Sequence, residues 1–258
     1  MPAIGLKERI LRVWKDRSRR RQMIVTDITR MEGDRVCVGG YLEDGTPVRP
    51  VAGRKGPDER WLRSARDAAV VPFAVVELQV NRAPKRMSVP HTEDRVIPLS
   101  GHRVLRMLSD AERIALLERS LSPSLRAIFA AEIHADPNGT WGRYVRTGEG
   151  TRSLGTIRAD AIRAVHYRHY PDRHRLDYRL RFNDASGEEF QLAVVDLDFR
   201  RRLDALRDGG LAPASAAAMT LTALQRQAVH LRVGLARGWD RHPDRCYVQI
   251  TGVYGFSR

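Results

Sequence analysis

The sequence predicts a mainly β chain, built as two β-rich units with helices inserted. Three observations predict it. Short β-branched and apolar runs separated by turn signals recur over residues 23–99 and again beyond residue 135. The stretch between them carries helix-cap signals instead. The length of 258 residues suits one large or two small domains, and a 42% hydrophobic content supplies ordinary cores.

Residues 1–22 stand apart as a basic arm, with Lys7, Arg9, Arg12, Lys15, Arg17, Arg19, Arg20 and Arg21 against only Glu8 and Asp16. Strands are expected at Met23–Thr29, Arg35–Leu42 and Thr46–Val51, turning at Gly33-Asp34 and Glu43-Asp44-Gly45. Gly39-Gly40 reads as a bulge or a sharp coil. Further strands are expected at Val70–Val80 and Arg95–Leu99, and five short strands in this span suit a small β-barrel. Ser109-Asp110-Ala111-Glu112 opens a helix carrying Ile114, Leu116, Leu117 and Leu121, and Ser122-Pro123 breaks it before another turn. Residues 100–134 therefore read as a helical connector.

In residues 135–258, strands are expected at Gly142–Thr147, Leu154–Ile157 and Ala161–Tyr170. Arg175–Asn183 alternates cleanly, with Leu176, Tyr178, Leu180 and Phe182 on one face and Arg175, Asp177, Arg179 and Arg181 on the other. Glu189–Val195 follows a turn, and Asp196 caps a helix running through Asp208. Gly209–Thr220 reads as a small-residue loop. Gln227–Ala236 and Arg245–Tyr254 form a last hairpin around 237–244.

The charge narrows the functional classes. A net +14 and a pI near 10.7 point to a polyanionic partner, although 41 Arg against 4 Lys also fits a coding bias that spreads arginine everywhere. No run is long and apolar enough for a membrane span, and the N-terminus lacks a signal-peptide core, so a cytoplasmic protein is expected. Cys37 and Cys246 stand alone and make no zinc pattern.

Several segments together carry a family resemblance. They are Met23–Thr29 with the run 35–51, Gly142-Arg-Tyr-Val with Ser153-Leu-Gly-Thr-Ile, Val195-Asp-Leu-Asp-Phe-Arg, and Leu231-Arg-Val-Gly-Leu-Ala-Arg followed by Cys246-Tyr-Val-Gln-Ile-Thr-Gly-Val-Tyr. Pro90-His-Thr-Glu-Asp adds to them. In order and spacing they resemble bacterial dual OB-domain proteins, from Met23 to the C-terminus. The resemblance implies two OB-like β-barrels, at 23–99 and 135–258, joined by the helical connector, and a role with nucleic acid.

An OB barrel binds a strand through a groove of basic side chains and stacking rings. The candidates are Arg35, Arg49, Trp141, Arg143, Tyr144, Arg146, Arg152, Arg179, Arg181, Arg232, Arg237 and Trp239. In 141–152 the glycines Gly142, Gly148 and Gly150 would let backbone approach a phosphate. The alternative for this segment is a core Tyr144 and a solvated row of arginines, and Arg49 before Pro50 could instead brace a barrel end. His166, His169 and His174 cluster in sequence, but a strand sends 166 and 169 to opposite faces, so no metal site is expected. Asp184, Glu188 and Glu189 faintly resemble a nuclease strand, yet Asp184 suits a turn and Asp196 a helix cap, with Arg200 as the natural ion-pair partner in its helix. The expectation is a non-enzymatic protein without cofactor that binds single-stranded DNA or RNA or joins a larger nucleoprotein complex. A scaffold subunit and a metal-dependent nuclease are the alternatives.

Overall fold

A computed structural model describes residues 20–51, 57–63, 68–81, 88–98, 100–137, 141–170 and 175–257, the side chains of 169, 170, 175 and 176 excepted. The expected arm lies outside them up to residue 19; Arg20–Gln22 already belong to the first strand. The chain forms two compact units. The first takes residues to Thr26, Met31–Lys85 and Asp94–Leu108, and the second takes Asp27–Arg30, Arg86–Glu93 and Ser109–Arg258.

Strand β1 (Arg20–Arg30) starts with alternation, Met23 and Val25 being fully buried, and from Thr26 to Thr29 every residue is buried. In the first unit it lies in a six-stranded sheet with β2 (Val36–Leu42), β3 (Pro47–Val51), β4 (Ala74–Gln79), β5 (Asp94–Val96) and β6 (Arg103–Met107). The order is β5-β3-β2-β1-β4-β6. β5 runs parallel to β3, and Asn81, just past β4, donates its N–H to Val96 O at 2.9 Å. Gly40 shows why glycine stands in β2: a Cβ there would lie 2.0 Å from the Ile24 carbonyl oxygen on β1. The expected bulge is thus a close strand crossing.

The second unit contains a closed five-stranded barrel. β9 (Leu154–Tyr170), β10 (Arg175–Asp184) and β11 (Glu189–Val194) make an antiparallel meander. β11 then runs parallel to β13 (Arg245–Ser257), β13 pairs with β12 (Gln227–Leu235), and β12 returns to β9. Two short strands, β8 (Arg143–Arg146) and β7 (His134–Ala135), extend the sheet beyond the N-terminal end of β13. Tyr178, Leu180 and Phe182 fill the interior from β10 as the alternation predicts, beside Phe190, Leu231, Val233 and Ile250.

Three expectations change. Only part of 100–134 is helical, because Arg103–Met107 is a strand antiparallel to β4. Its helices, α1 (Asp110–Arg119) and α2 (Leu125–Phe129), belong to the second unit, where Leu125, Ile128 and Phe129 are fully buried in the core. The α1 capping box of Ser109 and Glu112 is as predicted. The strand bits at 154–157 and 161–170 are one strand, β9, of 17 residues. After α3 (Leu197–Asp208), the supposed loop 209–220 is mostly helix α4 (Pro213–Gln225). Pro213 stands in its first turn and alanines dominate it, which favours a helix without amphipathic spacing to announce it.

Buried polar groups pin the second unit together. Arg232 is fully buried; its Nη2 donates to Asp27 Oδ2 at 2.8 Å, its Nε to the same oxygen at 3.1 Å, and its Nη1 to Thr156 Oγ1 at 2.9 Å. Thr251 Oγ1 donates to Asp27 Oδ1 at 2.5 Å. Glu93, also buried, accepts from Ser153 N at 2.6 Å, Ser153 Oγ at 2.9 Å and Leu154 N at 3.2 Å.

Candidate nucleic-acid interface

The candidate interface is the outer face of the second unit where β10, β11, β13, β8 and β7 follow one another. On β13, Arg245, Tyr247 and Gln249 are half-buried and alternate with the buried Cys246, Val248 and Ile250, so the first three face outward. Gln249 stands beside Ala193 on β11, and Ala193 beside Arg179 on β10, so these three share one rung. On the other flank Tyr247 stands opposite Tyr144 of β8, and Tyr144 opposite His134 of β7.

The rings form a chain. His134 and Tyr144 centroids are 5.3 Å apart, Tyr144 and Tyr247 6.0 Å, Tyr247 and His242 6.3 Å, and His242 and Trp239 5.7 Å. The Arg245 guanidinium lies 5.1 Å from the Tyr144 centroid, a cation–π contact. Asp136 orients this group, accepting from Tyr247 Oη at 2.9 Å and lying 3.5 Å from Arg245 Nη1. Burial pushes the Tyr247 hydroxyl pKa up, with the neighbouring Asp136 carboxylate acting in the same direction. Trp239, at one end of the ring chain, is 52% exposed, and Trp141, between β7 and β8, is 50% exposed, so large π-faces are open to a ligand. Trp239 and the exposed Arg237 sit in the connection between β12 and β13, one of the two loops that flank the ligand face of an OB barrel.

The sequence-predicted residues divide. Trp141, Arg143, Tyr144, Arg146, Arg179, Arg181, Arg237 and Trp239 all belong to this unit's strands or loops and are exposed or half-buried. Arg146 is exposed, while Arg143 donates to the Gly142 carbonyl at 3.2 Å and Arg181 pairs with Glu189 at 2.8 Å.

Others are removed from the interface. Arg232 is fully buried and its guanidinium is committed to Asp27 and Thr156. Arg49, in the first unit, is 5% exposed and held by Asp94 at 2.7 Å, which is the bracing role open to it in the sequence. Arg35, also in the first unit, is half-buried and lies 3.6 Å from Glu32 Oε2. Arg152 caps α2: its Nε donates to the Ile128 carbonyl and its Nη2 to Ala127 O at 3.3 Å and Ser122 Oγ at 3.0 Å.

The glycine loop also differs from expectation. The N–H groups of Thr147, Gly148, Glu149 and Thr151 donate to Asp244 O, Val89 O, Arg146 O and Phe129 O, so they are not turned to a phosphate. Gly150, at φ +86°, is required by packing, since a Cβ would lie 2.7 Å from the Phe129 carbonyl oxygen.

The carboxylates considered for a nuclease are all engaged. Asp184 accepts from Ser186 N and Oγ and from Leu125 N, Glu188 is bidentate to Arg126, and Asp196 caps α3 while accepting from Val253 N. Burial raises the Asp196 pKa to about 6. Among the described residues no group of three His, Cys, Asp or Glu could hold a metal ion. His174 lies outside the described residues, as does the His169 side chain. Among the described residues no helix is long and apolar enough to cross a membrane.

Arg245, Tyr247, His242 and Asp136 were missed by the sequence reading. The strict alternation over 245–250 was the available signal.

The strand order of the closed barrel, with its third strand parallel to its fifth, is that of an OB barrel. Residues 21–253 match the family model of the dual OB-containing domain. The chain belongs to the dual OB-containing domain family. No curated protein matches it. This dual OB-containing chain enters its family match at β1, and nearly the whole candidate interface falls within the matched span.

Proposed function

We propose that this protein binds single-stranded nucleic acid on the outer face of the second unit, by phosphate neutralisation and base stacking with little sequence readout. The observation that carries the reading is the ring chain from His134 to Trp239, continuous through β13 with the rung that holds Arg179. Stacking rings next to cationic side chains are what a sequence-tolerant single-strand site requires, because every base has a π-face and every nucleotide a phosphate. A net charge of +14 draws a polyanion to the surface.

In this reading the first unit is the second OB-like barrel of the pair. Its parallel β3–β5 pairing and the Asn81–Val96 hydrogen bond support that. The protein acts in the cytoplasm as a binding module and carries out no chemistry, since the carboxylates discussed above serve caps, turns and ion pairs.

The test is fluorescence anisotropy of labelled oligothymidylate and of a duplex of equal length, from 50 to 300 mM salt. Six phosphate contacts give a log–log slope of about −4 on single strands. Tighter binding of the single strand with such a slope supports the reading. No binding at the lowest salt, or a salt-independent complex, overturns it in favour of a scaffold subunit.

A further inference from the structure

We infer that Arg179 and His166 form a cross-strand seat for one phosphate group of the bound strand. The inference rests on the single-strand reading above and names the charge contact within it.

On the outer face of β9 and β10 most cations already have partners. Arg163 Nε donates to Asn183 Oδ1 at 2.7 Å. Arg181 is tied to Glu189 at 2.8 Å. Arg168 stands directly opposite the carboxylate of Asp177.

Arg179 and His166 differ. They are directly opposite each other in the β9–β10 ladder, which sets their Cβ atoms roughly 5 Å apart. Among the described residues neither side chain has a hydrogen-bond or ion-pair partner. On the far side of Arg179 the rung continues into Ala193, a small side chain, and then Gln249. A half-buried guanidinium beside an exposed imidazole, next to a small neighbour, presents converging N–H donors to an anion. The nearest charges form two opposed pairs, Arg168 with Asp177 and Arg181 with Glu189, so the Arg179 guanidinium is the net positive charge here. The same rung leads through Gln249 to Tyr247 and the ring chain, so a backbone seated here would run on toward bases stacked at the aromatic end.

The test compares the full chain with its Arg179→Gln, His166→Ala and double variants, using labelled oligothymidylate across the same salt range. Arg163→Gln serves as a control that removes an equal but engaged charge, and Trp239→Ala reports on the rings. We expect Arg179→Gln to weaken binding about tenfold at low salt and to make the salt slope shallower by about 0.7, the increment of one phosphate. His166→Ala weakens it less, and the double variant loses less than the two single effects combined. If Arg179→Gln and Arg163→Gln act equally, or the two seat residues prove additive, the seat is overturned. If the chain binds and Trp239→Ala weakens it while both seat variants bind like the parent, the seat alone fails. If the parent does not bind, the single-strand reading fails and the seat falls with it. Matching circular dichroism and thermal midpoints establish that each variant is folded.

Discussion

Replacing Arg232 with methionine should cost the second unit about 3–5 kcal/mol, the range seen when one partner of a buried ion pair is removed. The substitution keeps most of the side-chain length and removes every N–H that reaches Asp27. What remains at that carboxylate includes the Thr251 hydroxyl at 2.5 Å, in a site where Asp27 is 2% exposed. A carboxylate cannot be rehydrated there, so desolvation is uncompensated. Domains of this kind are stable by roughly 5–15 kcal/mol, so the loss is about a fifth or more of the total. For a unit of about 160 residues it lowers the thermal midpoint by roughly 10 °C. Urea unfolding followed by tryptophan fluorescence and far-UV circular dichroism measures it. Adding Asp27→Asn to Arg232→Met should recover at least half of the loss, because the stranded charge is then gone. A loss below about 1 kcal/mol in the single variant, or no recovery in the double, would refute the reasoning that the ion pair governs this core.

Acidification should act with opposite signs through one buried group in each unit. Asp196 has a folded pKa of about 6. Its unfolded value is near 4, so the folded form takes up a proton first and this group's contribution to stability rises as pH falls from 6 to 4, by up to roughly 3 kcal/mol. Asp196→Asn should flatten that rise in pH-dependent urea titrations. In the first unit, burial lowers the pKa of His102, which stacks 4.4 Å from Trp61. The unfolded chain takes up a proton below about pH 6.5 that the folded unit resists, so stability falls there. His102→Gln should remove that fall, and an unchanged profile would count against it. Trp239→Ala should weaken oligothymidylate binding roughly 5- to 100-fold, the worth of one stacked base, with no change in thermal midpoint. Gly150→Ala should destabilise by about 2 kcal/mol or more, from a strained φ and a clash with a carbonyl; a neutral result by urea titration would show that the loop relaxes. Removal of residues 1–19 should leave the strand β1 pairing intact, with Arg20 opposite Gln79, and make the salt slope shallower. Loss of cooperative unfolding would contradict this.

The strands were legible where one face is buried and the other wet. Tyr178, Leu180 and Phe182 declared their face through alternation, and the caps at Ser109 and Asp196 declared helix starts through side-chain chemistry. Pattern failed where it carries no period. Helix α4 hides in alanines, which favour a helix without marking a face, and β6 is exposed along most of its length. The candidate site was half legible. Trp141, Trp239 and Arg179 could be picked by residue type. Composition cannot separate Arg232 and Arg49 from Arg146, because a buried guanidinium is defined by a carboxylate far away in sequence, 205 residues from Arg232 and 45 from Arg49. Tyr247 and Arg245 gained their place from strand pairing, which a single chain read residue by residue does not reveal.

The division of β1 between the units has a consequence for synthesis. Asp27 leaves the ribosome early and Arg232 almost at the end of translation. Until then its carboxylate can only be solvated, because the guanidinium that allows its burial does not yet exist. The first unit is complete by Leu108 and has no such wait. Vectorial synthesis thus orders the assembly, with the buried face of β12 that carries Arg232 sealed last. A fragment that starts at Ser109 would be born without Asp27 and Glu93, carrying Arg232 with no counter-charge from Asp27.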